Sequence, residues 1–203
     1  MGRSDRKKEH YYREAKRKGY RSRSAFKLKQ IARKHRLLKG VDKVLELCSA
    51  PGGWTQILRE LDNTLEIVAV DLDKMPPIQR VKFIQGDITA PDVVETIRDL
   101  TGGSVDLVLS DCSPNVTGNW TLDVARQLEL AEATVSIADG LLTTNGKVLA
   151  KVFQGKGFQQ FLQTVRDRYR SVKLVKPDAS RKSSAEIYLL AALPRKQKER
   201  EDD

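Results

Sequence analysis

The chain has 203 residues, 39% hydrophobic and 32% charged, with a formal net charge of +10. That length gives one domain with a substantial core and falls short of two comfortable ones. No apolar run approaches the roughly 18 residues that span a bilayer, and the opening MGRSDRKKEH has no signal-peptide core, so a cytoplasmic protein is expected rather than a membrane or secreted one.

In chain order, the positive charge comes first. Residues 1–39 hold 16 Lys/Arg against 3 Asp/Glu, while the rest of the chain holds 21 against 24. Basicity therefore belongs to an N-terminal segment joined to a nearly neutral domain. Tyr11, Tyr12, Tyr20 and Phe26 are interleaved with these cations. Cations for phosphates and aromatic faces for bases are what single-stranded or looped RNA requires. Residues 1–21 read as a mobile or weakly helical arm. Ser22 or Ser24 can cap a helix running to about His35, with Ala25, Leu28, Ile31 and Ala32 as its apolar stripe. Gly40 closes the segment, and residues 1–39 are expected to bind RNA.

Beyond Gly40, strand-like and helix-like runs alternate. Strands are expected at 43–48, 65–71, 81–87, 105–111 and 146–153, and helices after the turn at 52, then at 91–100, 122–142 and 157–169. Two closing strands, 171–177 and 185–193, leave no room for a helix between them. Alternation implies a parallel, doubly wound α/β sheet, and the final hairpin adds one antiparallel strand. A mostly parallel seven-stranded sheet with helices on both faces is the Rossmann-like methyltransferase architecture. It covers residues 40–194, and 195–203 form a charged tail. The two cysteines, Cys48 and Cys112, make neither a metal-ligand spacing nor a disulfide framework. Reduced, buried thiols are expected, and no metal is called for.

Ligands of open parallel sheets bind beyond the carboxyl ends of the strands. Asp71, Asp87 and Asp111 fall at three such ends. The first strand runs into E46-L-C-S-A-P-G-G-W54. In a dinucleotide fingerprint, glycines let the backbone meet a pyrophosphate. Here Cys48 and Ala50 stand at the first two glycine positions and Pro51 lacks an N–H. The turn suits a ligand without phosphate, which places an NAD-dependent oxidoreductase last among the alternatives. Asp111 lies in DLVLSDCSPN, which lacks the Pro-Pro-aromatic arrangement that holds an exocyclic amine, so a hydroxyl acceptor fits better. Lys151 sits inside the apolar strand KVLAKVF, where a lysine is expensive unless it is paired or used.

Five segments, YRSRSAFKL (20–28), SAPGGWTQ (49–56), SDCSPN (110–115), AKVFQG (150–155) and KPDASRKSSAEIY (176–188), together resemble the FtsJ/RrmJ (RlmE) ribose 2′-O-methyltransferases, in order and on the expected elements. The resemblance implies a Lys-Asp-Lys-Glu catalytic set at Lys27, Asp111, Lys151 and Glu186. It implies S-adenosylmethionine (SAM) as cofactor, held by Gly52, Gly53, Trp54, Asp71, Asp87 and Asp111. Bacterial members typically carry Asp at position 46 and Gly at 48, where this chain has Glu46 and Cys48. Cys48 and the basic N-terminus are closer to eukaryotic relatives, whereas GGW and KVFQG are closer to the bacterial ones. The mixture implies an archaeal member.

The reaction so implied is transfer of a methyl group from a sulfonium to a ribose 2′-oxygen. Lys151 is expected to be the base or the group that orients the hydroxyl, Asp111 to orient Lys151, and Lys27 and Glu186 to position the ribose. The expected substrate is a uridine of large-subunit ribosomal RNA or of the 50S-type subunit, acted on by a monomer. A tRNA target is the alternative, and a non-catalytic RNA-binding ribosome-assembly factor is the alternative of another class.

Overall fold

The computed structural model describes residues 3–181 and 183–195, with side chains from Glu9 onward. The strands are β1 (Lys43–Leu47), β2 (Glu66–Asp71), β3 (Val81–Gln85), β4 (Val105–Ser110), β5 (Leu142–Phe153), β6 (Tyr169–Val175) and β7 (Glu186–Pro194). The helices are α1 (Arg3–Arg17), α2 (Ala25–His35), α3 (Gly53–Leu61), α4 (Pro91–Thr101), α5 (Trp120–Leu141) and α6 (Phe158–Arg168).

Among the described residues, seven strands form one sheet in the order β3-β2-β1-β4-β5-β7-β6. The pairs β1–β2, β2–β3, β1–β4 and β4–β5 are parallel, and β7 is antiparallel to both β5 and β6. This is the expected doubly wound sheet with one antiparallel strand. The strand order reverses between β1 and β4, which opens the ligand crevice at their carboxyl ends.

Alternation along each strand sorts the core into two layers. Leu45, Val108, Val148 and Val152 face α4, α5 and α6, in one cluster with Val93, Leu128 and Phe161. Val44, Leu109 and Leu149 face α2 and α3, in a second cluster with Leu28, Ile31, Trp54 and Ile57. Lys151 is two residues beyond Leu149, so the same alternation turns it toward α2 and α3.

Some expectations need correction. Residues 3–17 form a fifteen-residue helix rather than a mobile or only weakly helical arm, and its Ala15 is buried, 3% exposed. Tyr11 packs on Phe26 with ring centroids 5.2 Å apart, Tyr20 packs on Phe26 at 5.4 Å, and Gln30 donates to the Tyr11 hydroxyl at 3.1 Å. Of the four N-terminal aromatics, then, three dock α1 onto α2, and Tyr12 alone stays exposed. Neither serine caps α2: the Ser22 and Ser24 hydroxyls bond one another at 2.7 Å. The helix ends at His35 as expected, and Arg36 closes it in a left-handed conformation.

Strand β5 begins at Leu142, four residues ahead of the expected start, directly from the end of α5. Of its first residues, Leu142 is expected to end the preceding helix, and polar Thr143, Thr144 and Asn145 to lie between the elements. They join the sheet through Leu142 opposite Val105, across a shift in register. Tyr169, assigned to a helix by periodicity, starts β6 instead. Residues 196–203 of the charged tail lie outside the described residues. No helix among the described residues is long and apolar enough to cross a membrane.

Candidate active site

Four elements bring the candidate catalytic residues together. Lys27 comes from the first turn of α2, Asp111 follows β4, Lys151 lies in β5, and Glu186 opens β7. Lys27 Nζ donates to Glu186 Oε1 at 2.6 Å. Lys151 Nζ donates to the Asp111 carbonyl oxygen at 2.7 Å and lies 3.3 Å from Asp111 Oδ1. The side chain of Lys151 is 7% exposed, so it is not an edge lysine with its ammonium in water.

The two ion pairs meet at Tyr188, which the sequence reading missed. In register, Tyr188 stands opposite Lys151 and Glu186 opposite Phe153. The Tyr188 hydroxyl donates to Asp111 Oδ1 at 2.7 Å, and Lys27 Nζ lies 5.8 Å from its ring centroid. Burial and the neighbouring Asp111 and Glu186 carboxylates hold the Tyr188 phenol well above its ordinary value, so it stays a donor. Alternation in AEIYLL was the available signal, since Glu186 and Tyr188 share a face. Ser180 adds a second hydrogen bond to Glu186 Oε1 at 2.8 Å, and buried Gln127 ties the Lys151 and Cys112 carbonyls together at 2.9 and 3.2 Å.

The crevice beside this cluster begins at the end of β1. Gly52 has φ 102°, where a side chain would be strained. A Cβ on Gly53 would come within 2.1 Å of the Ser22 hydroxyl, so Gly53 is what lets the basic segment close over the turn. Arg21 fixes that closure. It donates to the carbonyls of Pro51 at 3.2 Å, Pro76 at 2.7 Å and Pro77 at 3.2 Å. Trp54 is buried, with Nε1 on the Ser24 carbonyl at 2.9 Å and its ring 5.8 Å from Tyr188. It braces α2 and β7 against α3.

A model of the FtsJ-like methyltransferase family matches residues 20–193. The chain belongs to that family. A large-subunit ribosomal RNA methyltransferase E from Methanothrix thermoacetophila is 46% identical over 183 residues, 90% of this chain and 71% of that protein. Its namesake from Archaeoglobus fulgidus is 43% identical over 190 residues, 94% and 98%. Both are archaeal, as the mixed motifs imply. A crystal structure described as a ribosomal RNA methyltransferase of Plasmodium falciparum superimposes with a TM-score of 0.77 at 27% identity, covering 87% of this chain and all of that one. The fibrillarin pre-rRNA processing protein of Methanococcus jannaschii shares the fold at 12% identity, with a TM-score of 0.53 and 77% and 68% covered.

In this FtsJ-like chain acids end or follow three of the strands that flank the switch point, β2, β3 and β4. Asp71, the last residue of β2, accepts from the Ala50 and Asp73 N–H groups, both at 2.8 Å. Asp87, just past β3, takes the Thr89 N–H and hydroxyl on Oδ1, and the two bonds hold its carboxyl below its ordinary value. Asp111 completes the row after β4. Among the described residues no group of three or more His, Cys, Asp or Glu side chains is gathered as a metal site would require.

One expectation at the crevice is overturned. Cys48 and Cys112 are joined in a disulfide, with Cα atoms 5.0 Å apart. Cys48 lies one residue, and Cys112 two residues, past the last paired residues of their strands, Leu47 of β1 and Ser110 of β4. Their separation of 64 positions in sequence hid this adjacency. The bridge therefore crosses the switch point, one residue beyond Leu47 and one beyond Asp111.

Glu46 sits behind the crevice, 1% exposed, and accepts from the Thr55 hydroxyl at 2.7 Å. Burial raises its carboxyl from 4.5 to about 8. The folded protein thus keeps a proton that the unfolded chain releases, and stability falls as pH rises from the ordinary carboxylate range through about 8. The full fall is on the order of 3–5 kcal/mol. Glu46→Gln removes this titration, so its melting temperature should drop less than the wild type's between acid and alkaline pH. Parallel pH slopes for the two proteins would show that Glu46 does not carry the proton.

Proposed function

We propose that this chain is a SAM-dependent RNA methyltransferase of the cytoplasm that methylates a ribose 2′-hydroxyl of large-subunit ribosomal RNA, with a uridine as the target nucleotide. The observation that carries this reading is the convergence of Lys27–Glu186 and Lys151–Asp111 on Tyr188, beside the switch-point crevice of an FtsJ-like domain. The names of the archaeal relatives support the ribosomal target over tRNA.

The cofactor end fits SAM. In this reading Asp71 holds the ribose diol, Asp87 borders the adenine side and Asp111 borders the reacting end. The Gly52-Gly53-Trp54 backbone opens α3, whose first-turn N–H groups have no partner within the helix. Trp54 serves through that backbone, because its ring is packed. When bound, SAM supplies a methyl group on a sulfonium, whose C–S bond breaks as the C–O bond to the ribose forms.

The protein's part is to align the acceptor oxygen and remove its proton. Lys151 Nζ is aimed by the two Asp111 oxygens, and as a neutral amine it takes the hydroxyl proton while the C–O bond forms and the C–S bond breaks. Tyr188 keeps the Asp111 carboxylate in place from the opposite side. Lys27 and Glu186, locked together, bracket the ribose, and the Lys27 charge steadies the developing oxyanion. Much of the rate comes from alignment alone.

RNA is drawn in by the basic segment. Arg13, Lys16 and Arg17 lie exposed on α1. Changing all three to glutamine keeps the buried packing of Ala15 and removes three cations. The KM for RNA should rise, and the slope of log K against log salt should flatten by about 2, at roughly 0.7–0.9 for each phosphate no longer neutralised. An unchanged salt slope would show that α1 does not touch RNA. The reading as a whole is tested by offering large ribosomal subunits and tRNA, both from cells lacking this protein. Methylation of the subunits is expected, and methylation of tRNA alone would overturn the ribosomal assignment.

A further inference from the structure

The carboxyl ends of β4 and β5 carry an aromatic surface that the transfer chemistry leaves unused. Trp120, the first residue of α5, is 51% exposed. Its ring stacks on Phe153, the last residue of β5, with centroids 5.8 Å apart and planes 18° apart. Val116 and Leu122, on either side of it in sequence, are also exposed. So much apolar surface in water is unfavourable, yet the chain holds it out.

The loop between β4 and α5 is fixed by its own hydrogen bonds. Buried Asp123 accepts from the Thr117 N–H and hydroxyl, both at 2.8 Å. Thr117 Oγ1 accepts from the Asn119 N–H at 3.2 Å, and the Asn119 side chain caps α5 by accepting from Leu122 N–H at 3.3 Å. Trp120 is thereby presented rather than loose.

Its position relates it to the candidate active site. Phe153 is two residues beyond Lys151 and directly opposite Glu186 in the β5–β7 register. The loop leading to Trp120 starts at Asp111. The turn following Phe153 carries exposed Lys156 between Gly155 and Gly157. Those glycines press on Val124 and Leu128 of α5, where an added Cβ would meet side-chain atoms at 2.8 and 3.0 Å. The turn that carries Lys156 therefore lies against the first turns of the helix that Trp120 opens.

We propose that Trp120, backed by Phe153, is the stacking platform for a nucleobase of the RNA next to the nucleotide being methylated, with Lys156 on the adjoining phosphate. The inference rests on the RNA reading above. Methylating a ribose requires its 2′-oxygen to reach the cluster around Lys151, which pulls neighbouring bases from their own stack. A rigid aromatic face at that spot replaces the lost stacking, and it does so for any base. The adjacent cation and the ribose-bracketing pair favour a nucleic acid over a protein side chain.

The chain's two tryptophans make the test direct, because Trp54 is buried, 3% exposed, and Trp120 is not. Protein-free large-subunit RNA should shield wild-type emission from acrylamide. Trp120→Phe leaves only Trp54, whose emission should not respond. In turnover, Trp120→Ala should raise the KM for RNA roughly 5- to 100-fold, with kcat at saturating RNA and SAM affinity little changed. Trp120→Phe, which keeps an aromatic face, should stay near wild type and controls for folding. Wild-type emission indifferent to RNA, or a KM for Trp120→Ala equal to wild type, would overturn the platform. Wild-type turnover on RNA is read in the same assay, so failure of the methyltransferase reading would appear there, separately.

Discussion

Lys151→Ala should all but abolish methyl transfer, lowering kcat by about 100- to 10,000-fold, while SAM still binds with unchanged enthalpy and affinity by calorimetry. The side chain removed is the one whose Nζ the Asp111 carbonyl and carboxylate hold in place, and no other amine in the cluster has that position. Lys27 Nζ is committed to Glu186. Lys151→Arg separates proton removal from simple charge, because a guanidinium stays protonated and cannot accept the hydroxyl proton. It should be nearly as inactive as the alanine variant. Substantial turnover by the arginine variant would mean that Lys151 only orients the oxygen, and near-normal turnover by Lys151→Ala would remove it from the mechanism.

Asp111→Ala should be damaging on two counts. Activity should fall by at least about 100-fold, because the carboxylate that aims Lys151 and accepts from Tyr188 is gone. Stability should also fall, because Lys151 and Tyr188 are buried and each loses a partner. Deleting one member of a buried pair costs about 3–5 kcal/mol. The lower end applies here, since the Asp111 carbonyl still receives Lys151. SAM affinity should drop as well, unlike in Lys151→Ala, because Asp111 also borders the crevice. Full SAM binding by Asp111→Ala would take that residue out of the cofactor set. Melting temperature, calorimetric Kd and single-turnover rate on one preparation separate the three effects.

The sheet was legible because each strand is a short apolar run closed by a polar or turn-forming residue, and because the helices between them have room and periodicity. KVLEL, EIVAVD and VDLVLS read correctly for that reason. The misreadings share a cause, which is that the deciding partner lies far away in sequence. The N-terminal arm looked loose because its charges dominate, and its docking aromatics resemble ligand-facing ones. Only the packing of Tyr11 and Tyr20 on Phe26 separates the two roles. The cysteine pair depended on β1 and β4 being neighbours, a property of the strand order rather than of spacing. The start of β5 is polar and enters the sheet only through a register shift.

At the candidate site, Lys27, Asp111, Lys151 and Glu186 were identified by resemblance, and Lys151 also by its oddity in an apolar strand. Tyr188 was hidden because a tyrosine inside AEIYLLAAL looks like ordinary core. Its role appears only when its hydroxyl meets Asp111 across two strands. Likewise Trp54 reads as a ligand contact from its place after two glycines, whereas its ring is packed between α2 and β7.

In the proposed function this cluster delivers a methyl group to a ribose 2′-oxygen of large-subunit ribosomal RNA. The most direct measurement uses methyl-labelled SAM with large ribosomal subunits from cells lacking this protein, comparing wild type with Lys151→Ala, followed by nuclease digestion and nucleoside mapping. Label in a single 2′-O-methylated nucleoside with the wild type, and none with the variant, is the expected result. Label on a base, or equal labelling by both proteins, would contradict it.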